Sequence, residues 1–124
     1  MLPEKFLRVL EHEGIVAIAT QGADGQPHLV NTWNSYVQVT RDEHLLIPAG
    51  GMHKTEKNLS ENNAVLLTAG SREVVGKHGP GAGFLITGTA DFPFAGPDFE
   101  LIKSKFPWAR AALVVKIKDI AQTL

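Results

Sequence analysis

The sequence predicts a mainly β domain of six strands, most economically closed as a barrel, with two or three short helices. Six segments rich in β-branched and other apolar residues are separated by Gly, Pro and Asp turn signals. The chain has 124 residues, which suits one compact domain and leaves no room for a second. A closed barrel is favoured because closure removes the exposed edges of a sheet. We therefore treat residues 1–124 as a single domain.

The first part of the chain predicts a helix followed by a hairpin. An apolar helical stripe near the start is followed by Gly14, which is a natural helix stop. Residues 15–20 and 27–40 then have strand-forming composition, and Asp24-Gly25 between them is a turn signal. The stripe consists of Phe6, Leu7, Val9 and Leu10.

The rest of the chain predicts four further strands and two short helices. A third strand over residues 45–47 leads through Pro48 and two glycines to a helix-compatible segment, residues 55–62. Two further strands, residues 65–71 and 84–92, are joined by a glycine-rich stretch over residues 76–83 that is too long for a tight turn and predicts a loop that is either mobile or draped over the domain. A last helix begins at Pro97 and ends before Pro107, and residues 111–118 form the sixth strand.

Composition excludes several classes of function. The 12 basic and 13 acidic residues give a net charge of -1, so no broad attraction to nucleic acid or to a membrane surface is expected. The absence of cysteine excludes disulfides, thiolate metal sites and cysteine nucleophiles. Residues 1–6 do not resemble a signal peptide, and no apolar run reaches membrane-spanning length. A cytoplasmic protein is the expectation.

An unusual polar run interrupts the second predicted strand. Asn31, Thr32, Asn34 and Ser35 surround Trp33 between apolar neighbours. A buried amide or hydroxyl without a partner costs about 1 to 3 kcal/mol, so this run favours either a polar ligand edge or a solvated face. A flat heterocycle needs such hydrogen-bonding groups beside an aromatic surface. The alternative is an edge strand whose polar side faces water.

The segment between the third strand and the following helix predicts an anion site. Gly50 and Gly51 allow backbone N–H groups to approach a ligand, the helix start adds partial positive charge, and Lys54 and Thr55 add an ammonium and a hydroxyl. A phosphate monoester suits this set. The segment lacks the glycine that precedes the lysine in phosphate-loop NTPases, so ATP hydrolysis of that type is disfavoured. The alternative is that Thr55 only caps the helix and Lys54 points into solvent.

No catalytic or metal-binding group is predicted. The segment 79–83 contains proline and precedes a strand, so it is not a dinucleotide-binding fingerprint. The five histidines lack zinc-site spacing, although His53 adjoins the proposed anion site. The serines lack a nucleophile elbow. Trp108, after a helix-ending proline, fits either the core or an interface.

Together, the strand Asn31-Thr32-Trp33-Asn34-Ser35-Tyr36 and the loop Gly50-Gly51-Met52-His53-Lys54-Thr55, with Asn58 after it, resemble the FMN-binding split-barrel family related to pyridoxamine 5'-phosphate oxidase. The likeness is greatest to the small members from sulfate-reducing bacteria. It covers the whole chain.

The resemblance implies a homodimeric, six-stranded antiparallel split β-barrel with Greek-key connections and FMN near the subunit interface. Lys54 and Thr55, with backbone from Gly50, Gly51, Met52 and His53, would hold the phosphate. The isoalloxazine ring would be lined by Asn31, Thr32, Trp33 and Asn34. Trp108 and Leu124 of the second subunit would shield one side of it.

The resemblance also favours a redox function. We expect a small electron-transfer protein with non-covalent FMN that exchanges electrons with a cytochrome or ferredoxin. One alternative is an NAD(P)H-dependent flavin reductase or a small-molecule oxidoreductase similar to pyridoxamine 5'-phosphate oxidase, although the single phosphate site argues against that oxidase activity itself. A non-redox module for another phosphorylated heterocycle is a further alternative.

Overall fold

The computed structural model describes residues 2–124, so Met1 of the opening segment lies outside the described residues. The chain forms three helices and seven strands over this range. In order these are α1 Glu4–Leu10, β1 Ile15–Gln21, β2 Pro27–Trp33, β3 Gln38–Val39, β4 Leu45–Ala49, α2 His53–Glu61, β5 Ala64–Val75, β6 Pro80–Asp91, α3 Pro97–Lys105 and β7 Ala111–Gln122.

The strands form one antiparallel sheet with the order β2-β1-β5-β6-β7-β4-β3. The two edge strands, β2 and β3, follow each other in the chain and are joined by a 3-10 turn over Asn34–Tyr36. The sheet is therefore open in its hydrogen bonding, while its two edges are connected covalently. The mainly β class and the three helices agree with the sequence-based prediction.

The predicted count of six strands differs from the structure because the second predicted strand is not continuous. Residues 27–40 contain β2, the 3-10 turn and the two-residue strand β3. The break occurs where the Asn34 side chain turns into the interior and its own N–H donates to the Gly14 carbonyl oxygen at 2.9 Å. β3 then pairs with β4 at the other edge of the sheet.

The main core lies on the inner face of the sheet under α1. Strand side chains alternate in burial along β1 and β5, as expected for a sheet with one covered face. Phe6 of α1 packs edge-to-face on Phe84 of β6, with ring centroids 5.6 Å apart. The largest fully buried side chains include Ile18, Leu45, Ile47, Leu67, Ile86 and Leu113.

A second, smaller core explains the continuous apolar run in β4. Ile102 of α3 packs against Leu46, Ala112 and Val114, on the face of β4 and β7 that looks away from the main core. Both faces of these two strands are buried where they pair, so their sequences do not alternate there.

Two local predictions were wrong. The predicted mobile or draped loop over residues 76–83 is a tight hairpin connection, because β5 and β6 continue to Val75 and Pro80 and the Gly76 N–H donates to the Gly79 carbonyl oxygen at 2.7 Å. Helix α1 ends at Leu10 rather than at Gly14. Gly14 has a different role, since a Cβ there would overlap the Gly70 carbonyl oxygen.

Candidate functional site

A cleft of about 350 Å³ lies where the ends of β2 and β4 meet the loop before α2. This volume is within the range of about 300 to 1,000 Å³ that is typical of small-molecule pockets. It brings together segments that are far apart in sequence. The lining residues are Val30, Asn31, Thr32, Trp33, Tyr36, Pro48, Gly50, Gly51, Met52 and Trp108.

Aromatic side chains form one side of the cleft. Trp108, Tyr36 and Phe106 form a cluster in which each ring contacts the other two, with ring-centroid distances of 5.2 to 5.8 Å. Its indole ring would be 3.3 Å from a Cβ at Gly50, so this glycine allows the ring to approach the loop. Trp108 is 52% exposed, and the alternative that it belongs to the core is wrong. It lines the cleft within its own chain.

The other side of the cleft is the edge strand β2. Asn31 and Trp33 are exposed, and Thr32 points to the opposite face and is buried. Trp33 also lines a second groove of about 550 Å³, which contains Leu124. β2 is an edge strand, as the alternative predicted, but Thr32 and Asn34 are buried, so only part of the polar run faces water. The exposed Asn31 and Trp33 line the cleft. Leu124 does not line the cleft of its own chain.

The cleft reaches Met52, the residue immediately before α2. The first helical hydrogen bond joins the Glu56 N–H to the Met52 carbonyl oxygen at 2.9 Å, so the N–H groups of His53, Lys54 and Thr55 have no acceptor within the helix. Met52 adopts a left-handed conformation with φ of 57° at the N-cap position. Thr55 lies inside the first turn, which shows that the alternative of a Thr55 cap is wrong. The side chains of His53 and Lys54 are exposed.

Thr55 belongs to a small group of buried polar side chains under α2. Thr55 and Asn58 lie on the buried face of the helix. Asn58 Nδ2 donates to Thr20 Oγ1 of β1 at 3.1 Å, which attaches the helix to the sheet. Thr55 Oγ1 is buried without a hydrogen-bond partner among the described residues.

Asn34 does not join the cleft. Its side chain is fully buried, and Nδ2 donates to the carbonyl oxygens of Val9, His12 and Gly70 at 3.0 to 3.1 Å. The amide therefore stabilises the contact between α1, the β2–β3 turn and β5. The prediction that Asn34 lines a ligand ring is wrong, because these carbonyl groups already use its donors.

Arg110 was missed by the sequence analysis. Its Nε donates to the Gly50 carbonyl oxygen at 2.8 Å, and its Nη2 donates to the Gly51 carbonyl oxygen at 2.6 Å and to Glu56 Oε1 at 2.8 Å. In the sequence, Arg110 is a single charged residue inside the apolar run that begins at Ala109, and this position could have marked it as a candidate. Pattern alone does not show which groups such a residue contacts.

The Glu43 carboxyl group lies outside the cleft. The Leu2 backbone N–H donates to Glu43 Oε2 at 2.7 Å and lowers the pKa of that carboxyl group. Among residues 2–124, no group of three or more His, Asp or Glu side chains could hold a metal ion. No helix in this range is long and apolar enough to cross a membrane.

The fold and the sequence both match known proteins. The family described as pyridoxamine 5'-phosphate oxidase matches residues 2–123, which is nearly the whole chain. The chain belongs to the pyridoxamine 5'-phosphate oxidase family. Within curated proteins, a relative from Nitratidesulfovibrio vulgaris (strain Miyazaki F) named FMN-binding protein is 57% identical over 124 residues, which is 100% of each chain. The resemblance identified from the sequence is confirmed.

Solved structures show how widely this family's fold extends. HupZ of Group A Streptococcus has a TM-score of 0.83 at 17% identity, covering 99% of this chain and 94% of HupZ. An FMN-binding protein from Syntrophomonas wolfei has a TM-score of 0.71 at 16% identity, covering 88% of this chain and 76% of that one. At these identities the likeness shows the fold of the pyridoxamine 5'-phosphate oxidase family alone.

Proposed function

We propose that the chain binds one FMN per protomer and functions as a small electron-transfer protein. The main observation in favour of this proposal is that the aromatic cleft and the start of α2 adjoin each other at Gly50, Gly51 and Met52. A planar ring and a phosphate joined by a short chain need these two environments side by side. The name of the 57% identical relative supports the same ligand.

The start of α2 suits the phosphate. Three N–H groups in the first turn lack acceptors within the helix, and the exposed Lys54 adds a full positive charge nearby. Gly51 leaves open space, since a Cβ there would have no atom within 4 Å. The buried Thr55 hydroxyl, which lacks a partner among the described residues, is also in the first turn and is a further candidate donor.

The cleft suits the ring. Trp33 and Trp108 offer aromatic surfaces, and Asn31 offers an amide for the polar edge. When bound, FMN supplies the redox chemistry. Apart from the Tyr36 phenol, the side chains that line the cleft carry no ionisable group. This supports a carrier function, in which the protein binds and orients the cofactor, over catalysis by a side-chain acid or base.

The outer face of β1, β2 and β5 supports a homodimer. Ile15, Leu29, Trp33 and Leu66 lie on this face and are 46 to 68% exposed. Contiguous exposed apolar surface of this kind is typical of protein interfaces. The residues between them on this face, Ala17, Ala19, Asn31 and Thr68, are uncharged, so the centre of the face places no charge opposite a second copy. Because Trp33 belongs to both the face and the cleft, a second copy would lie beside the bound ring.

Two measurements test the proposal. An absorption spectrum of the purified protein, followed by titration of the apoprotein with FMN and with riboflavin, establishes the ligand. Stopped-flow mixing of the reduced, FMN-loaded protein with a cytochrome, or of the oxidised protein with reduced ferredoxin, then tests the function. We expect rapid exchange with a protein partner. Rapid bleaching by NADH with turnover would instead support the flavin-reductase alternative.

Substitutions at the helix start test where the phosphate binds. Lys54→Ala should weaken FMN binding about ten-fold through loss of a charged hydrogen bond, and should change riboflavin affinity by less than about two-fold. Thr55→Val should weaken FMN binding without destabilising the apoprotein, because it removes an unpaired buried hydroxyl at nearly constant volume. Lys57→Ala, an exposed lysine further along α2, is the matched control. Unchanged FMN affinity in both test variants would place the phosphate elsewhere.

A further inference from the structure

We propose that Arg110 is a positioning residue that holds the backbone of the β4–α2 loop in the orientation needed for anion binding. This inference rests on the proposed function, because the anion considered is the phosphate of FMN. Arg110 is the last residue before β7, and its own N–H donates to the Ala49 carbonyl oxygen at 2.9 Å. The side chain extends from this anchored position towards the loop.

The guanidinium group fixes two successive peptide groups. It donates to the carbonyl oxygens of Gly50 and Gly51 at distances of 2.6 to 3.0 Å. The chain has no cis peptide bond among its described residues, and the C=O and N–H of a trans peptide point in opposite directions. The N–H groups of Gly51 and Met52 are therefore directed away from Arg110. Both residues line the cleft, whereas Arg110 does not.

Arg110 also neutralises a carboxylate near the anion site. Glu56 lies in the first turn of α2, where a negative charge favours the helix but repels a phosphate dianion. Arg110 Nη2 is 2.8 Å from Glu56 Oε1, and the two side chains are only 28% and 36% exposed. This partial burial limits solvent screening of the pair.

The position of the guanidinium is itself fixed by aromatic contacts. Its central carbon lies 5.4 Å from the ring centroid of Phe92 and 5.6 Å from that of Phe94. Cation–π contacts at these distances restrict the arrangements that the side chain can adopt. One residue thus connects the start of β7, the segment after β6, the loop and α2.

The test is a double-mutant cycle in the whole chain with FMN and riboflavin as ligands. Arg110→Met keeps an apolar stem against the two phenyl rings and removes all donors. We expect it to weaken FMN binding about 30-fold and riboflavin binding by less than about three-fold. Arg110→Lys should recover only part of the loss, because an ammonium lacks the planar fork that contacts the loop and Glu56 together.

Removal of the Glu56 charge separates the orientation of the loop by Arg110 from the neutralisation of Glu56 by Arg110. Glu56→Gln alone should change FMN affinity by less than about three-fold, and Arg110→Met with Glu56→Gln should bind FMN about five-fold more tightly than Arg110→Met. The loss of FMN affinity that remains in the double variant measures the contribution of loop orientation to binding. Equal losses of FMN and riboflavin affinity in Arg110→Met, or FMN affinity within about two-fold of wild type, would overturn the proposal.

A ligand-free measurement keeps this inference distinct from the proposed function. We expect ¹⁵N relaxation of the Gly51 and Met52 amides to show an ordered loop in the wild-type apoprotein and a mobile loop in Arg110→Met, with unchanged relaxation in α1. If the wild type binds no FMN but the loop loosens in the variant, the proposed function fails and the positioning role stands. If the loop amides of the variant remain as ordered as in wild type, Arg110 does not position them.

Discussion

The Asn34 side chain joins three segments of the chain through its single amide. Its Nδ2 donates to carbonyl oxygens of Val9, His12 and Gly70, and Gly14 packs so closely beside it that a Cβ would stand 2.5 Å from Nδ2. Buried carbonyl groups need hydrogen-bond donors, and here the Asn34 amide supplies them. In the sequence, the same residue belongs to the polar run that suggested a ligand contact.

We predict that Asn34→Asp destabilises the protein by about 2 to 4 kcal/mol, more than Asn34→Ala, because a carboxylate repels the carbonyl oxygens that the amide satisfied. Urea unfolding followed by circular dichroism measures the change. Asn63→Asp, in the segment between α2 and β5, is the matched control, since Asn63 is exposed and its change should stay within about 0.5 kcal/mol. Equal free energies of unfolding for Asn34→Asp and Asn63→Asp would contradict the assigned role.

At the scale of elements, the proposed ligand site depends on the junction between β4 and α2. β4 is held by β7 and β3 in the sheet, and α2 is attached to β1 through Asn58 and Thr20. The loop between these fixed elements contains one residue with a positive φ, Met52, and two glycines with different surroundings. Gly50 is packed against Trp108, and Gly51 faces open space.

This difference gives a prediction for the loop. Gly51→Ala should leave the apoprotein stability unchanged within about 0.5 kcal/mol, because Gly51 has no positive φ and an added Cβ meets no atom within 4 Å. It should weaken FMN binding about ten-fold or more if the ligand approaches the loop backbone. Gly50→Ala should instead disturb the Trp108 contact, at 3.3 Å, and be seen as a change in tryptophan fluorescence of the apoprotein. Wild-type FMN affinity in Gly51→Ala would show that the ligand does not contact this backbone.

At the scale of the whole molecule, the inner face of the sheet is buried against α1, and the outer face of β1, β2 and β5 is exposed. An isolated domain gains nothing from large apolar side chains in water, whereas a second copy would bury them. The exposed face and the cleft share Trp33, so association and ligand binding are expected to be coupled.

We predict that Leu29→Glu with Leu66→Glu converts a dimer into a monomer, because two carboxylates from each copy would be placed in the proposed interface. Sedimentation velocity at micromolar concentration measures the mass. Leu101→Glu on α3, at a leucine that is 43% exposed, should leave the dimer intact. A wild-type protein that sediments as a monomer would rule out the dimer proposal.

The sequence alone determined the features that depend on local chemistry. Alternating or apolar runs identified the strands, Asp24-Gly25 and Pro97 marked a turn and a helix start, and the family resemblance is confirmed across the chain. The loop at Gly50 and the aromatic Trp33, both selected from the sequence, line one cleft in the structure. These signals are local because backbone preference and side-chain alternation act over a few residues.

Only the tertiary structure decided which way each polar side chain turns. Asn34 and Asn31 look equivalent in sequence, yet one bonds carbonyl groups from distant segments and the other faces the cleft. Arg110 contacts a loop that is 60 residues away in the chain. A contact over that separation produces no periodic pattern in the sequence from which it could be predicted. The physical reason is that hydrogen-bond partners are chosen by the packing of whole elements, which fixes the distances between groups that lie far apart in the sequence.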